Sequence, residues 1–371
     1  MRIIVMEYLE TLGGDAMKDM QRMISFLLEN ANPSIICRVK KEILHEISRE
    51  EEDRLQELIL SEKIIRSIIA CQKENGWLGN GYHGSNKNAG RYENQETGIK
   101  YLAEKGVRKE TDVLKRAMLA FKELPFTDPC YRNAGEPGDE FKYAANGSNL
   151  FRCACIARAG FEDFIDIAPQ IQLSLDSFRR VLEVDSILDV SRPLGKSGIR
   201  VFHEYEKWPC RYHLDILAHT AAWRTEDASR MLADSVETLM RRDRPELVGL
   251  TASTWAGHVL ATTGGFPSQG LTFVYETDGV PEYHMEYLIW LARCGVICYS
   301  PKLWEIVESI KAAVNADGVC EISVDGTFRN WGPYGGLQLE TDWKSARRRN
   351  CDITFRALQL IYYAETEETG R

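Results

Sequence analysis

Tyr212, Asp215 and His219 stand at i, i+3 and i+7 in a stretch otherwise written with Leu214, Ile216, Leu217 and Ala218. That spacing sets three polar side chains on one face of a helix. A phenol, a carboxyl and an imidazole held together can supply an acid, a base and a route for a proton. They can equally satisfy one another as a buried hydrogen-bonding network. His213 adjoins the triplet. A second constellation, Glu282 and Glu286 at i, i+4, brackets His284, with Trp290 one turn further on. Carboxyls in unlike environments separate in pKa and divide acid and base roles. Near a helix start the same pair is also favoured by the helix dipole alone.

Aromatic residues gather in the connections: Trp77, Tyr82, His83 and Tyr92, then Trp208, then Trp331 and Trp343. On a cavity rim such rings stack on sugars or stabilise a developing cation; buried, they anchor loops. Glu93 and Glu96 flank Asn94, a helix-capping residue type, and Glu96 then falls in a first turn that favours a carboxylate. Arg347, Arg348 and Arg349 beside Asp352 suit an anion or a solvated charge run.

Charge and cysteine usage bound the partners. A formal charge of −9, with no run of five basic residues, argues against nucleic acid or an anionic membrane. No apolar segment reaches the roughly 20 residues of a bilayer span. The ten cysteines form no C-x-x-C, and Cys153 and Cys155 face different sides of a helix. Reduced buried thiols in a cytoplasmic protein are expected, with no metal and no cofactor. Gly13-Gly14-Asp15 is encodable by a purine-rich ribosome-binding sequence, so Met17 is the expected start. Residues 1–16 are then an extension before a single domain, 17–371. Homo-oligomer formation stays open.

The elements that must position these groups are helices. Met20, Met23, Ile24, Leu27 and Leu28 form a helix-period stripe. Further helices are expected over 33–45, 62–72, 94–104, 110–123, 148–159, 162–181, 209–223, 226–241, 281–292, 300–314 and 352–364. Residues 48–54 read as a solvated link, and the Thr/Gly/Pro-rich stretch 242–280 as loop with one helical piece near 253–261. Pairing the last helix with the first gives six hairpins, and long polar loops return after every second helix. The expected fold is all-α, an (α/α)6 toroid with its loops on one face.

Gln72-x-x-x-Gly76-Trp77 resembles a degenerate Q-W repeat of the terpene cyclase and protein prenyltransferase β-subunit superfamily. Asn315-Ala316-Asp317-Gly318 repeats the turn, with Val319 in place of tryptophan. Asn32-Pro33-Ser34-Ile35, Trp208-Pro209 with Tyr212-x-x-Asp215, and Asp352-x-Thr354-x-Arg356 extend the likeness to single-toroid bacterial members, over most of residues 17–365. The resemblance implies the toroid and an isoprenoid-like substrate. No Asp-x-Asp-Asp acid motif is present, and the final histidine is His284, so the zinc ligand set of prenyltransferases is incomplete.

Two enzyme readings and one binding reading follow. In the first, Asp215 or Glu286 protonates an apolar, isoprenoid-like substrate while aromatic residues stabilise positive charge. In the second, two carboxyls flank a glycosidic bond, as in a glycoside hydrolase or polysaccharide lyase built on an α/α toroid. In the third, the toroid binds a ligand without turning it over.

Overall fold

A computed structural model describes residues 14–82, 92–131, 148–193, 200–203, 206–241, 248–255, 258–263, 282–324, 328 and 336–369. Helices dominate. In chain order they are α1 (Gly14–Asn30), α2 (Pro33–Arg38, continued by a π-helical turn Val39–Ile43), α3 (Arg49–Ser61), α4 (Lys63–Ala70), α5 (Gln95–Glu104) and α6 (Asp112–Glu123). Next come α7 (Ser148–Ala159), α8 (Ala168–Leu182), α9 (Arg211–His219), α10 (Glu226–Arg241), α11 (Glu282–Arg293), α12 (Pro301–Ala312) and α13 (Ala346–Thr369). No helix among the described residues is long and apolar enough to cross a membrane.

Local sequence explains the boundaries. Asn32 caps α2, its side chain accepting from Ile35 N, and Pro33 sits where a missing N–H costs nothing. Asn94 caps α5 through Thr97 N, as its type and position predict. The charged stretch read as a link is instead the start of α3: Ser48 accepts from Glu51 N, and Glu50, Glu51 and Glu52 occupy the dipole-favoured first turn. The last helix starts earlier than expected, at Ala346, so the three arginines lie within it.

A second difference lies at 253–261, where a helical piece was expected. The chain there forms the hairpin β3 (Val248–Trp255) and β4 (His258–Thr263), paired with Ser253 opposite Leu260. The β-branched run Val248, Thr251, Thr254, Val259, Thr262 and Thr263 favours strands, because branching at Cβ restricts the side chain against a helical turn. Parallel pairing to β2 (Arg200–Phe202), itself antiparallel to β1 (Ser191–Pro193), completes a four-stranded sheet.

The helices pack in a definite order. α5 lies on α7, α7 on α9, α9 on α11, α11 on α13 and α13 on α2. Arg38 of α2 then reaches Glu104 at the end of α5, so the order returns to its start. Behind these lie α3, α6, α8, α12 and α1, each against a member of that series. The last helix packs on the first, as the hairpin count requires.

Gly76 and Gly318 hold equivalent turns. Gly76 has φ +86° and Gly318 φ +78°, a conformation in which a Cβ is strained. A Cβ on Gly76 would lie 2.2 Å from the Arg116 carbonyl oxygen, and one on Gly318 2.3 Å from that of Arg22. Each turn is pinned by a bridge, Gln72 to Leu78 in one and Val314 to Cys320 in the other.

Candidate functional site

The polar triplet on α9 is buried. Tyr212 is 4% exposed and Asp215 fully enclosed. Each meets groups from other helices rather than its own triplet alone. The Tyr212 hydroxyl donates to Glu96 Oε1 of α5 at 2.7 Å, and Lys100, one turn along α5, reaches the same oxygen at 2.9 Å. Lys100 also lies 3.5 Å from Asp215 Oδ2 and 4.3 Å from the centroid of the Tyr212 ring. His219 Nδ1 stands 3.0 Å from Asp215 Oδ1.

Arg158 of α7 joins the two predicted constellations. Its Nη2 lies 3.1 Å from Asp215 Oδ1 and 3.4 Å from Glu286 Oε1 on α11. Arg211 Nη2 takes the second Glu286 oxygen at 2.8 Å. Both guanidinium groups lie over the Trp290 ring, at 5.1 and 5.6 Å from its centroid. One step along the network, Glu104 receives Arg38 at 2.6 Å, Arg356 of α13 at 2.5 Å and Arg158 at 3.7 Å. Charges from α2, α5, α7, α9, α11 and α13 thus form one buried network.

Its members have unlike proton affinities. Burial opposes ionisation of Asp215, but Arg158 and Lys100, then the hydrogen bond with His219, outweigh it and hold the carboxyl far below the usual range. Burial likewise opposes ionisation of Glu104, and its three arginines outweigh it. Glu286 moves the other way. Burial pushes its carboxyl up against the pull of Arg211 and Arg158, with Asp215 and Glu104 adding repulsion. His219 is lowered, first by burial and then by Arg293. Asp215 is therefore a fixed negative charge, and the acid role expected of it has no proton to give near neutral pH. Glu286 is shifted in the opposite direction.

Several expected rim residues serve packing instead. Trp77 and Tyr82 are fully buried, with ring centroids 5.8 Å apart, and Phe121 and Tyr131 complete their aromatic cluster. Trp208 stacks on Phe202 at 5.4 Å. Half-buried Tyr92 packs on Tyr101, and Trp343 donates from Nε1 to Asp352 Oδ2 at 2.5 Å. His213 Nδ1 accepts from Cys210 N at 2.9 Å and so caps its own helix. His83 and Trp331 lie outside the described residues, as do the side chains of Glu282 and His284. The arginine run is engaged locally, Arg348 with Asp342 at 2.6 Å and Arg349 with the Trp343 carbonyl.

Sequence reasoning missed Lys100, Glu104, Arg158 and Arg211 as partners of this cluster. A signal was available on α5: Glu96, Lys100 and Glu104 recur every fourth residue on one face. Charge at that period on a helix also carrying Ile99 and Leu102 is a buried polar stripe when the helix is enclosed on all sides. Among the described residues no group of three or more histidine, cysteine, aspartate or glutamate side chains is arranged to hold a metal ion. No protein-family model, no curated protein and no solved structure matches this chain.

Proposed function

We propose that the chain is an α/α-toroid enzyme that performs acid–base chemistry on a polar, carbohydrate-like substrate, with Glu286 as proton donor and Asp215 as the ionised partner. The toroid reading rests on the helix neighbour order, which returns to α2 after α13. The observation that carries the chemistry is the pair of carboxyls sharing one arginine while their proton affinities are shifted in opposite directions. Both oxygens lie against the same Nη2, at 3.1 and 3.4 Å. Those two oxygens are therefore at most about 6.5 Å apart, short of the wider spacing that inverting glycosidases use.

The isoprenoid reading asks for an apolar, aromatic lining. Facing faces of α5, α7, α9 and α11 carry Lys100, Arg158, Asp215 and Glu286 instead, which favours a ligand able to exchange hydrogen bonds with charged groups.

Native mass spectrometry against a panel of oligosaccharides and isoprenyl diphosphates, followed by turnover assays on whatever binds, tests the reading. An oligosaccharide is expected to bind, and Glu286→Gln is expected to lower its turnover about 10²–10⁴-fold. Circular dichroism of the variant should remain that of the wild type. Full turnover by a folded Glu286→Gln protein, or retention of isoprenyl diphosphates alone, would overturn it.

A further inference from the structure

In the buried network Arg38, Arg158, Arg211 and Arg356 each meet at least one carboxylate. Arg152 does not. It stands in the second turn of α7, half-buried, with its guanidinium carbon 5.3 Å from the Phe126 ring centroid. Its Nε is shut off from water and has no hydrogen-bond partner, and among the described residues it forms no ion pair.

A second unpartnered donor stands beside it. Tyr131 is 3% exposed and its buried hydroxyl has no partner either. Burial raises that hydroxyl above its ordinary pKa and outweighs the opposing charge of Arg152 close by, so the group stays protonated and able to donate. Asp128 also faces Tyr131, but its Oδ1 is taken by Cys130 N at 2.8 Å and it makes no ion pair with Arg152. Phe126 packs on Tyr131 at 4.8 Å and walls one side. Both donors flank the Phe126 ring and neither has an acceptor, near the positive end of a twelve-residue helix.

We propose that Arg152 and Tyr131 form an oxyanion-binding subsite that takes a carboxylate or phosphate group carried by the substrate. The forked guanidinium matches two oxygens of such a group, and the Tyr131 hydroxyl adds a third bond. Neighbouring residues of α7 already face the catalytic cluster: the Phe151 ring lies 4.6 Å from that of Tyr212, and Arg158 bridges Asp215 and Glu286. Arg152 and Arg158 are six positions apart, about 9 Å along the helix axis and on different faces of it. Assignment of the anion to an acidic or phosphorylated saccharide rests on the proposed function; the anion site itself does not.

Isothermal titration calorimetry on the full chain provides the test, with sodium glucuronate, inorganic phosphate and glucose as probes. The wild type is expected to bind glucuronate or phosphate and not glucose, and the tighter of the two identifies the source of the anion. Arg152→Gln and Tyr131→Phe should each weaken that binding tenfold or more. No binding of either anion by the wild type, or equal binding by both Arg152→Gln and Tyr131→Phe, overturns the proposal. Should Arg152→Gln fail to fold, Tyr131→Phe is sufficient by itself, because it removes only a hydroxyl that bonds to nothing. A passed titration beside an active Glu286→Gln enzyme would retain this subsite and discard the acid assignment.

Discussion

Glu104 and Glu340 are both enclosed by the protein, yet their surroundings decide opposite charges for them. Three arginines surround Glu104 and hold it ionised. Glu340, 6% exposed, has the Asn32 N–H at 2.9 Å and a like-charged neighbour in Asp352, and burial pushes its carboxyl up to about 7. The folded protein therefore keeps this proton up to near pH 7, whereas an unfolded chain releases it near ~4.3. Between those values the folded state binds more protons, so Glu340 makes stability fall as pH rises, by on the order of 3 kcal/mol across the window. Glu340→Gln retains an acceptor for Asn32 and has nothing to ionise. Urea midpoints of this variant should vary less between pH 5 and 7.5 than those of the wild type; curves running parallel would show that Glu340 is not the group responsible.

Turns rather than helices carry the most repeated chemistry at the next scale. Gln72 donates from Nε2 to the Val113 carbonyl of α6 at 2.9 Å, and the Gly76 backbone comes close to Arg116 of the same helix. In the second copy Gly318 meets Arg22 of α1. The glycine serves the same end in both copies: it brings a turn against the backbone of a neighbouring helix. The repeated turn was legible, since Gln72-x-x-x-Gly76 and Asn315-x-x-Gly318 share the glycine although only one retains tryptophan; its docking against a helix was not. Helix positions were legible for a similar reason, through their apolar stripes. The hairpin β3–β4 was not, because β-branched residues among glycines leave helix and loop readings open until a partner strand is known. Gly318→Ala is expected to cost at least about 2 kcal/mol, combining a strained φ with a backbone clash. Gly160 offers a control: its φ is +71° and a Cβ there meets nothing within 4 Å. Gly160→Ala should cost about 1–2 kcal/mol from backbone strain alone. Equal denaturation midpoints for the two variants would remove the docking role from Gly318.

Across the whole molecule the buried charges join segments far apart in sequence. Arg356, 2% exposed, donates to the Leu337 carbonyl at 3.0 and 2.8 Å, to Gln359 at 2.9 Å and to Glu104 at 2.5 Å, tying α13 to α5. Arg38 ties α2 to the same Glu104, and Gln359 bonds Glu42 at 3.3 Å. Asp215 and Glu286 were visible in the sequence because polar residues interrupt apolar helices there. Their link through Arg158 was not, because helices so distant along the chain are brought together only by the packing order. A contact of this kind makes the two ends of the chain depend on each other. Arg356→Met fills similar volume and leaves two bonds to the Leu337 carbonyl, one to Gln359 and one ion pair unmade, while Glu104 keeps Arg38 and Arg158. Destabilisation of about 1–3 kcal/mol is expected, the cost of leaving the Leu337 carbonyl without its donor. The loss should appear equally at both ends. Hydrogen exchange would then show amides of α2 and α5 losing as much protection as those of α13, since one cooperative unit contains all three. Faster exchange confined to α13, with α2 and α5 unchanged, would mean that the last helix is an independent addition and that the shared ion cluster does not couple the chain's ends.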